Sequence, residues 1–359
     1  MARGNLEAPP EADRYEDAPH PREACALIGH AEAERTLLDA YRANRLPQAI
    51  ILGGPPGIGK ATLAWRLTRF LLAHPDPAAA AVQAAENLYV PAEHPIAHKL
   101  AALSHGDVFL LRREWNEKAK RSFTEIRADD VRHAIHMFQQ AASAGGYRIC
   151  IVDSAEDLNR SGANALLKLI EEPPPRTLFL IIAHRPGLVL ATLRSRCRRL
   201  LLQPLSQAEI GAVVAALGAP WSDFARDLVL AAAERAGGAV PAALRLLGGR
   251  GTELDRQVRR LLGDLPAVDW RAVHELADAV GGRDNAADYD LMMVAIVDWI
   301  DAVLHREAGR GAARLAPLAE VWEKAAEAAR ETEVLNLDKR PLILSIFADL
   351  ATAATAFAA

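Results

Sequence analysis

Residues 49–70 read AIILGGPPGIGKATLAWRLTRF, an unbroken apolar run, a glycine-rich turn and a helical pattern in direct succession. An apolar strand that passes through such a turn into a helix is the opening half of a βαβ unit. Its loop gathers backbone N–H groups and a helix N-terminus around one point, an arrangement suited to phosphate. The pattern G-x-x-x-x-G-K runs from Gly54 past Gly57 to Gly59 and Lys60, and then meets Ala61. At that position a Ser or Thr hydroxyl normally holds Mg²⁺. Thr62 is a poor substitute, because it points about 100° further round the helix. The stretch alone leaves three readings open: hydrolysis, binding without hydrolysis, or a loop kept for its shape.

The rest of the chain fixes the setting of that loop. Apolar runs recur at 107–111 (DVFLL), 148–153 (RICIVD), 177–183 (TLFLIIA) and 199–203 (RLLLQ). Most lack polar alternation, which marks strands covered on both faces, as in a parallel sheet. Helical patterns lie at 30–44, 60–73, 129–143 and 161–172, the last starting at Ser161 and stopped by the prolines 173–175. After Pro204 the texture changes to short helices at 206–218, 223–237 and 239–248, and from 252 the pattern is helical with breaks near 263–266, 281–285 and 309–311. The expected organisation is a flexible, Pro-rich acidic tail over 1–25, an α/β domain with a five-stranded parallel sheet over 26–204, a small helical domain over 205–250, and an all-α domain over 251–359. Residues 74–106, rich in Ala, Pro and His, read as an irregular insertion.

Composition excludes several classes. A net charge of −4 argues against a strongly basic nucleic-acid-binding protein, leaving only local patches such as LRREWNEKAKR at 111–121. That run either faces a duplex or is a solvated hairpin. Cys25, Cys150 and Cys197 are too far apart and too few for a disulfide framework, which fits a reducing cytoplasm. Residues 1–25 hold no apolar signal core, and no stretch reaches membrane-spanning length, so no membrane partner is expected. His94 and His98 in HPIAH have no cysteine beside them, and no metal site is expected there.

Two more elements bear on chemistry. RICIVD ends in Asp153, placed either to hold a metal through water or only to start a turn. A hydrolysing site would follow it with a Glu that orients water, whereas Ser154 stands here, with Glu156 and Asp157 out of step. LRSRCRR (193–199) is either a basic surface run or the carrier of an arginine delivered to another subunit's nucleotide.

Together GPPGIGKATLA, IVDSAEDLNRSGANALLKLIEEPPPRTLFLIIA and LATLRSRCRRLLLQPLS resemble, in order and spacing, the clamp-loader subunits of bacterial DNA polymerase III in the AAA+ superfamily, and among them the delta-prime family. NALLKLIEEPP (164–174) with Ser195, Arg196 and Cys197 is specific to such subunits. The resemblance is strong over about residues 26–250 and weaker over 335–351, LNLDKRPLILSIFADLA.

The resemblance implies a RecA-like AAA+ module, a helical lid and a helical collar that joins gamma/tau ATPase subunits and a delta subunit in a hetero-pentamer. It implies that Arg196 acts in trans as an arginine finger, while this chain is a non-hydrolysing stator during loading of the sliding clamp onto primed DNA in replication. The holoenzyme is a DNA-directed DNA polymerase, a nucleotidyltransferase complex; intrinsic ATPase is expected to be absent. The degenerate nucleotide site comprises Gly54, Gly57, Gly59, Lys60 and Asp153, with Ala61 and Ser154 replacing hydrolytic residues. ATP or ADP binding without hydrolysis stays open, and neither a required cofactor nor zinc is expected. Ala242 aligns with the sensor-2 arginine of relatives, and His184 stands at the sensor position after the fourth strand. Two other readings are an active gamma/tau-type ATPase, which would need a hydroxyl at 61 and a Glu at 154, and a stand-alone P-loop kinase, which would leave the SRC run and the C-terminal helices without a role.

Overall fold

In the computed structural model, strands β1 (Ala49–Gly53), β2 (Val108–Arg112), β3 (Trp115–Asn116), β4 (Arg121–Ser122), β5 (Arg148–Asp153), β6 (Thr177–Ala183) and β7 (Arg198–Leu201) are interleaved with helices. These are α1 (Ala31–Arg42), α2 (Lys60–Ala73), α3 (Ala80–Ala84), α4 (Pro95–Ala101), α5 (Ala128–Gln139), α6 (Arg160–Glu171), α7 (Ala191–Arg194), α8 (Gln207–Ala216), α9 (Arg226–Arg235), α10 (Val240–Leu247), α11 (Arg250–Gly263), α12 (Trp270–Val280), α13 (Ala286–Glu307) and α14 (Arg340–Ala358). The structure describes residues 11–358 except 12, 16–17, 118–120, 140–145, 188, 249, 283–284, 308–319, 322–323, 326, 330–331 and 333–336. The chain divides into two compact units, residues 1–243 and 244–359.

The first unit is built on a five-stranded sheet in the order β2-β5-β6-β1-β7, with every pair parallel. The apolar runs have a simple cause: Ile50, Leu52, Ile151, Leu180 and Ile182 face a core that includes Leu38, Leu63 and Phe70. Their neighbours Ile51, Cys150, Val152, Phe179 and Ile181 face a separate core with Phe138, Leu166 and Ile170. Two covered faces leave no position for a polar residue. The fold is thus the α/β, P-loop type with helices on both sides of a parallel sheet.

Helices α8 and α9 belong to this same unit. Helix α8 begins at a reciprocal cap, in which the Glu209 N–H donates to Ser206 Oγ (3.3 Å) and the Ser206 N–H donates to Glu209 Oε2 (2.8 Å). The insertion 74–106 is more ordered than its composition suggests. It carries α3 and α4, and Val82, Leu88, Val90 and Leu100 are buried in the core beside α2.

The expected flexible tail is corrected over its described residues. Ala18 and His20 are buried, and His20 Nε2 lies 2.9 Å from Asp13 Oδ2. Arg112 of β2 pairs with Asp13 and with Glu11 (2.7 Å), and Arg22 pairs with Glu11 (3.0 Å). From α2, Arg69 donates to the carbonyls of Arg22 (2.7 Å) and Ala24 (3.0 Å). A segment poor in apolar residues is here fixed by arginines from two distant elements, a device that apolar content does not reveal.

In the second unit, α11, α12, α13 and α14 share one core, with Val258, Leu262, Leu276, Met292, Ile296, Ile343, Phe347 and Leu350 buried. Helix α12 is capped by Asp269, which accepts from the Ala272 N–H at 3.1 Å. The predicted break at 281–285 separates α12 from α13, whereas the one at 309–311 falls outside the described residues. The predicted last helix, 335–351, starts at Arg340.

Candidate functional site: a phosphate loop and a distant arginine

The glycine loop lies between the C-terminal end of β1 and the N-terminus of α2, with Gly59 capping the helix that Lys60 opens. Gly54 (φ 145°) and Gly57 (φ 75°) have left-handed backbones, and a Cβ on Gly57 would stand 2.6 Å from Pro241. That contact belongs to an additional tie: the Val240 N–H at the start of α10 donates to Gly57 O at 2.9 Å. His30 Nε2 lies 2.6 Å from Ile58 O, so two consecutive loop carbonyls are held from outside.

Lys60 is 3% exposed, and its ammonium donates back to the loop carbonyls of Gly54 (2.6 Å) and Pro55. Its hydrogen bonds go to these carbonyls and not to the Asp153 carboxylate. Burial pulls its pKa down to about 8, against the attraction of Asp153 and Glu156. Ala61 is partly buried against the core beneath the loop, where it supplies a methyl group and no ligand.

Asp153 ends β5 and is separated from β1 by β6, which places it at the same carboxyl edge of the sheet as the glycine loop. Burial, and then the Asp13 carboxylate, push its pKa up to about 7, although Lys60 and Arg112 pull the other way. Ser154 is buried, its hydroxyl donates to Asp157 Oδ2 at 3.3 Å, and it offers no carboxylate with which to orient a water. Glu156 accepts from the Arg185 N–H (2.6 Å). His184, next in the chain after β6, is pushed down to about 4 by burial and by Lys60, which keeps its ring neutral. Ala242 is a partly buried residue of α10 and offers no charge. Helix α4 uses His94 as its cap, with Nδ1 accepting from the Ile96 N–H at 3.2 Å. Among the described residues no group of three or more His, Cys, Asp or Glu is arranged to hold a metal, and no helix is long and apolar enough to cross a membrane.

The raised pKa of Asp153 has a thermodynamic sign. Its carboxyl ionises near 3.8 when unfolded and near 7 when folded, so the native state binds the extra proton between those values. Stability is therefore lost as pH rises through that window, and the full penalty is present above pH 7. Asp153→Asn removes it. The variant's advantage over wild type in urea unfolding is expected to be about 2 kcal/mol larger at pH 8 than at pH 5. An advantage independent of pH would show that Asp153 is ionised throughout.

Arg196 lies elsewhere. It follows α7 and precedes β7, and the β1–β7 register pairs Ile50 with Arg198 and Gly53 with Leu201. Arg196 thus precedes the amino end of β7, whose first residue is itself three strand residues, about 10 Å, from the level of Gly53. The structure brings Gly54, Gly57, Gly59, Lys60 and Asp153 to one edge and leaves Arg196 at the other. His30, Val240 and the Asp13 carboxylate complete the loop's surroundings, although the sequence reading did not single them out. The His30 contact crosses from the start of α1, and the sequence carries no short-range sign of it.

Residues 29–206 match the family model described as DNA polymerase III, delta subunit. The delta-prime subunit of DNA polymerase III from Pseudomonas aeruginosa is 38% identical over 149 residues, 42% of this chain and 41% of that one. The Escherichia coli delta-prime subunit is 29% identical over 263 residues, 68% of this chain and 69% of that one. By these matches the chain is similar to the delta-prime subunits of DNA polymerase III. The gamma/tau subunit of Mycobacterium tuberculosis (strain H37Rv) is also similar, 28% identical over 275 residues that make 74% of this chain and 44% of that one. The chain thus spans about two fifths of the length of the Pseudomonas aeruginosa subunit and about two thirds of the Escherichia coli one. Within the family match lie β1 to β7, the glycine loop, Asp153 and the SRC run.

Proposed function

We propose that this chain is the non-hydrolysing, delta-prime member of a DNA polymerase III clamp loader, joined with gamma/tau ATPase subunits and a delta subunit. In this reading it supplies Arg196 in trans to the nucleotide of a neighbouring ATPase while the assembly loads the sliding clamp onto primed DNA in the cytoplasm. The observation that carries the proposal is the position of Arg196, a strand length from Lys60 at the opposite edge of the sheet. From there it cannot reach a phosphate on its own loop. A cation that is delivered across an interface, in contrast, needs that kind of outward placement. A guanidinium is suited to the role because it is always charged and its planar donors match phosphate oxygens.

The chain's own loop supports the same reading. Ala61 supplies no Mg²⁺ ligand, Ser154 no water-orienting acid, Ala242 no sensor charge, and Lys60 is turned onto its own loop carbonyls. Gly57, Gly59 and Lys60 retain the groups that would hold a diphosphate, so ATP or ADP binding without hydrolysis requires Lys60 to leave Gly54 O and Pro55 O. An active gamma/tau-type ATPase would need all the missing groups at once.

Purified alone, the protein is expected to hydrolyse ATP no faster than the background without protein, and Ala61→Ser is expected to remain equally inactive. Restoring one Mg²⁺ ligand leaves the water unoriented and the sensor charge absent. Turnover at clamp-loader rates by the wild type would sink the stator reading, and strong activity in the Ser variant would show that Ser154 is no defect.

A further inference from the structure

Resting on the trans-arginine reading, we infer that Glu171 positions Arg196, holding one side of its guanidinium so that the remaining donors are presented to a phosphate. Glu171 is the last residue of α6, and its Oε1 stands 2.5 Å from Arg196 Nε. Arg196 Nη1 donates to Thr192 O (3.2 Å) and to Ser195 Oγ (3.3 Å). Ser195 is itself tied, its hydroxyl donating to the same Thr192 carbonyl at 3.0 Å. Nη2 makes no hydrogen bond among the described residues, and the side chain is 43% exposed.

The arrangement answers a physical difficulty. An exposed arginine samples many rotamers, and a cation that must meet a phosphate across an interface loses much of its effect if it arrives displaced by about 1 Å. Holding Nε and Nη1 from two elements, α6 and α7 with the turn that follows it, fixes the guanidinium plane while leaving Nη2 without a hydrogen bond. The C-terminal end of a helix carries partial negative charge, so a cation is also favoured beside Glu171 for that reason. Position 171 therefore calls for a carboxylate at a helix end one contact away from the arginine. The prolines that follow at 173–175 close the helix at that place.

Glu171 does not touch nucleotide in this account; it acts only through Arg196. Its loss should thus lower the rate of the step in which charge builds on the phosphate and leave ATP affinity alone. The test is ATP hydrolysis by the full assembly with gamma/tau-type ATPases, sliding clamp and primed DNA, comparing Glu171→Ala, Glu171→Gln, Arg196→Ala and the Glu171→Ala/Arg196→Ala double variant. For the turnover that depends on Arg196, Glu171→Ala should lower kcat by about 10-fold with KM for ATP unchanged. Glu171→Gln, which keeps a hydrogen-bond acceptor, should recover part of that loss. The double variant should be no slower than Arg196→Ala alone, because both act through one group. Circular dichroism and gel filtration identify any variant that fails to fold or assemble, and Glu171→Gln, isosteric with the native residue, then carries the kinetic comparison. Wild-type kcat in both Glu171 variants beside a slow Arg196→Ala would overturn the positioning role alone. Losses that add in full would do the same. An unchanged rate in Arg196→Ala would overturn the trans-arginine reading, and the role of Glu171 with it.

Discussion

Replacing Arg196 with Ala is expected to slow ATP turnover at the neighbouring subunit's site by about 10³-fold, while the assembly forms normally. In the proposed role the size follows from the charge that the guanidinium would neutralise as the γ-phosphate departs, a transition-state contact for which this chain offers no replacement. Arg196→Lys keeps a positive charge but loses the planar donors, and it is expected to recover only a small part of the rate. Assembly should survive because Arg196 is half-exposed, and its pair with Glu171 at the surface contributes at most about 1 kcal/mol to folding. Single-turnover hydrolysis in the reconstituted complex measures the effect. A rate equal to wild type would assign the chain a scaffolding role without the arginine.

Glu34→Ala is expected to cost the first unit about 3–5 kcal/mol. The Glu34 carboxylate is buried against Arg66 of α2, whose side chain is 6% exposed, and it also accepts the Leu88 N–H at 3.0 Å. Arg66 in turn holds the Cys25 carbonyl and lies 3.4 Å from Asn87 Oδ1. Removing the carboxylate leaves a buried guanidinium without its counter-charge and the Leu88 N–H without this acceptor, which costs far more than the pair contributes. Through Arg66 the N-terminal segment and the 74–106 insertion are both fastened to the helix that Lys60 opens. The thermal midpoint should fall by about 10 °C. Exchanging both partners for apolar residues of similar size should cost less than the single change. A loss under about 1 kcal/mol in urea unfolding of Glu34→Ala would show that the pair is hydrated.

What the sequence displayed, and what it hid, follows from the range of the interactions involved. Strands β1, β5 and β6 were legible because each is covered on both faces, and such a strand leaves a continuous apolar run. Strand β7 was harder to place: expected at 199–203, it occupies Arg198–Leu201, because it is an edge strand whose Arg198, Arg199 and Leu201 remain exposed. The glycine loop was legible as a motif, yet the direction of Lys60 was not, since a lysine beside two inward carbonyls reads the same as one beside a phosphate. The attachment of residues 11–25 was hidden because its partners, Arg69 and Arg112, lie tens of residues away and read as ordinary charged positions. Glu171 stood in the quoted EEPP stretch, but only the meeting of α6 with the turn after α7 gives it a partner.

The central claim is that this chain accelerates another subunit's ATPase without being one. ATP hydrolysis by the gamma/tau and delta subunits, with sliding clamp and primed DNA, measured with and without this chain, tests it most directly. The account predicts a strong stimulation when the chain is added, from a protein with no turnover of its own. Hydrolysis that proceeds equally without it, or that persists with this chain as the sole ATPase, would contradict the account.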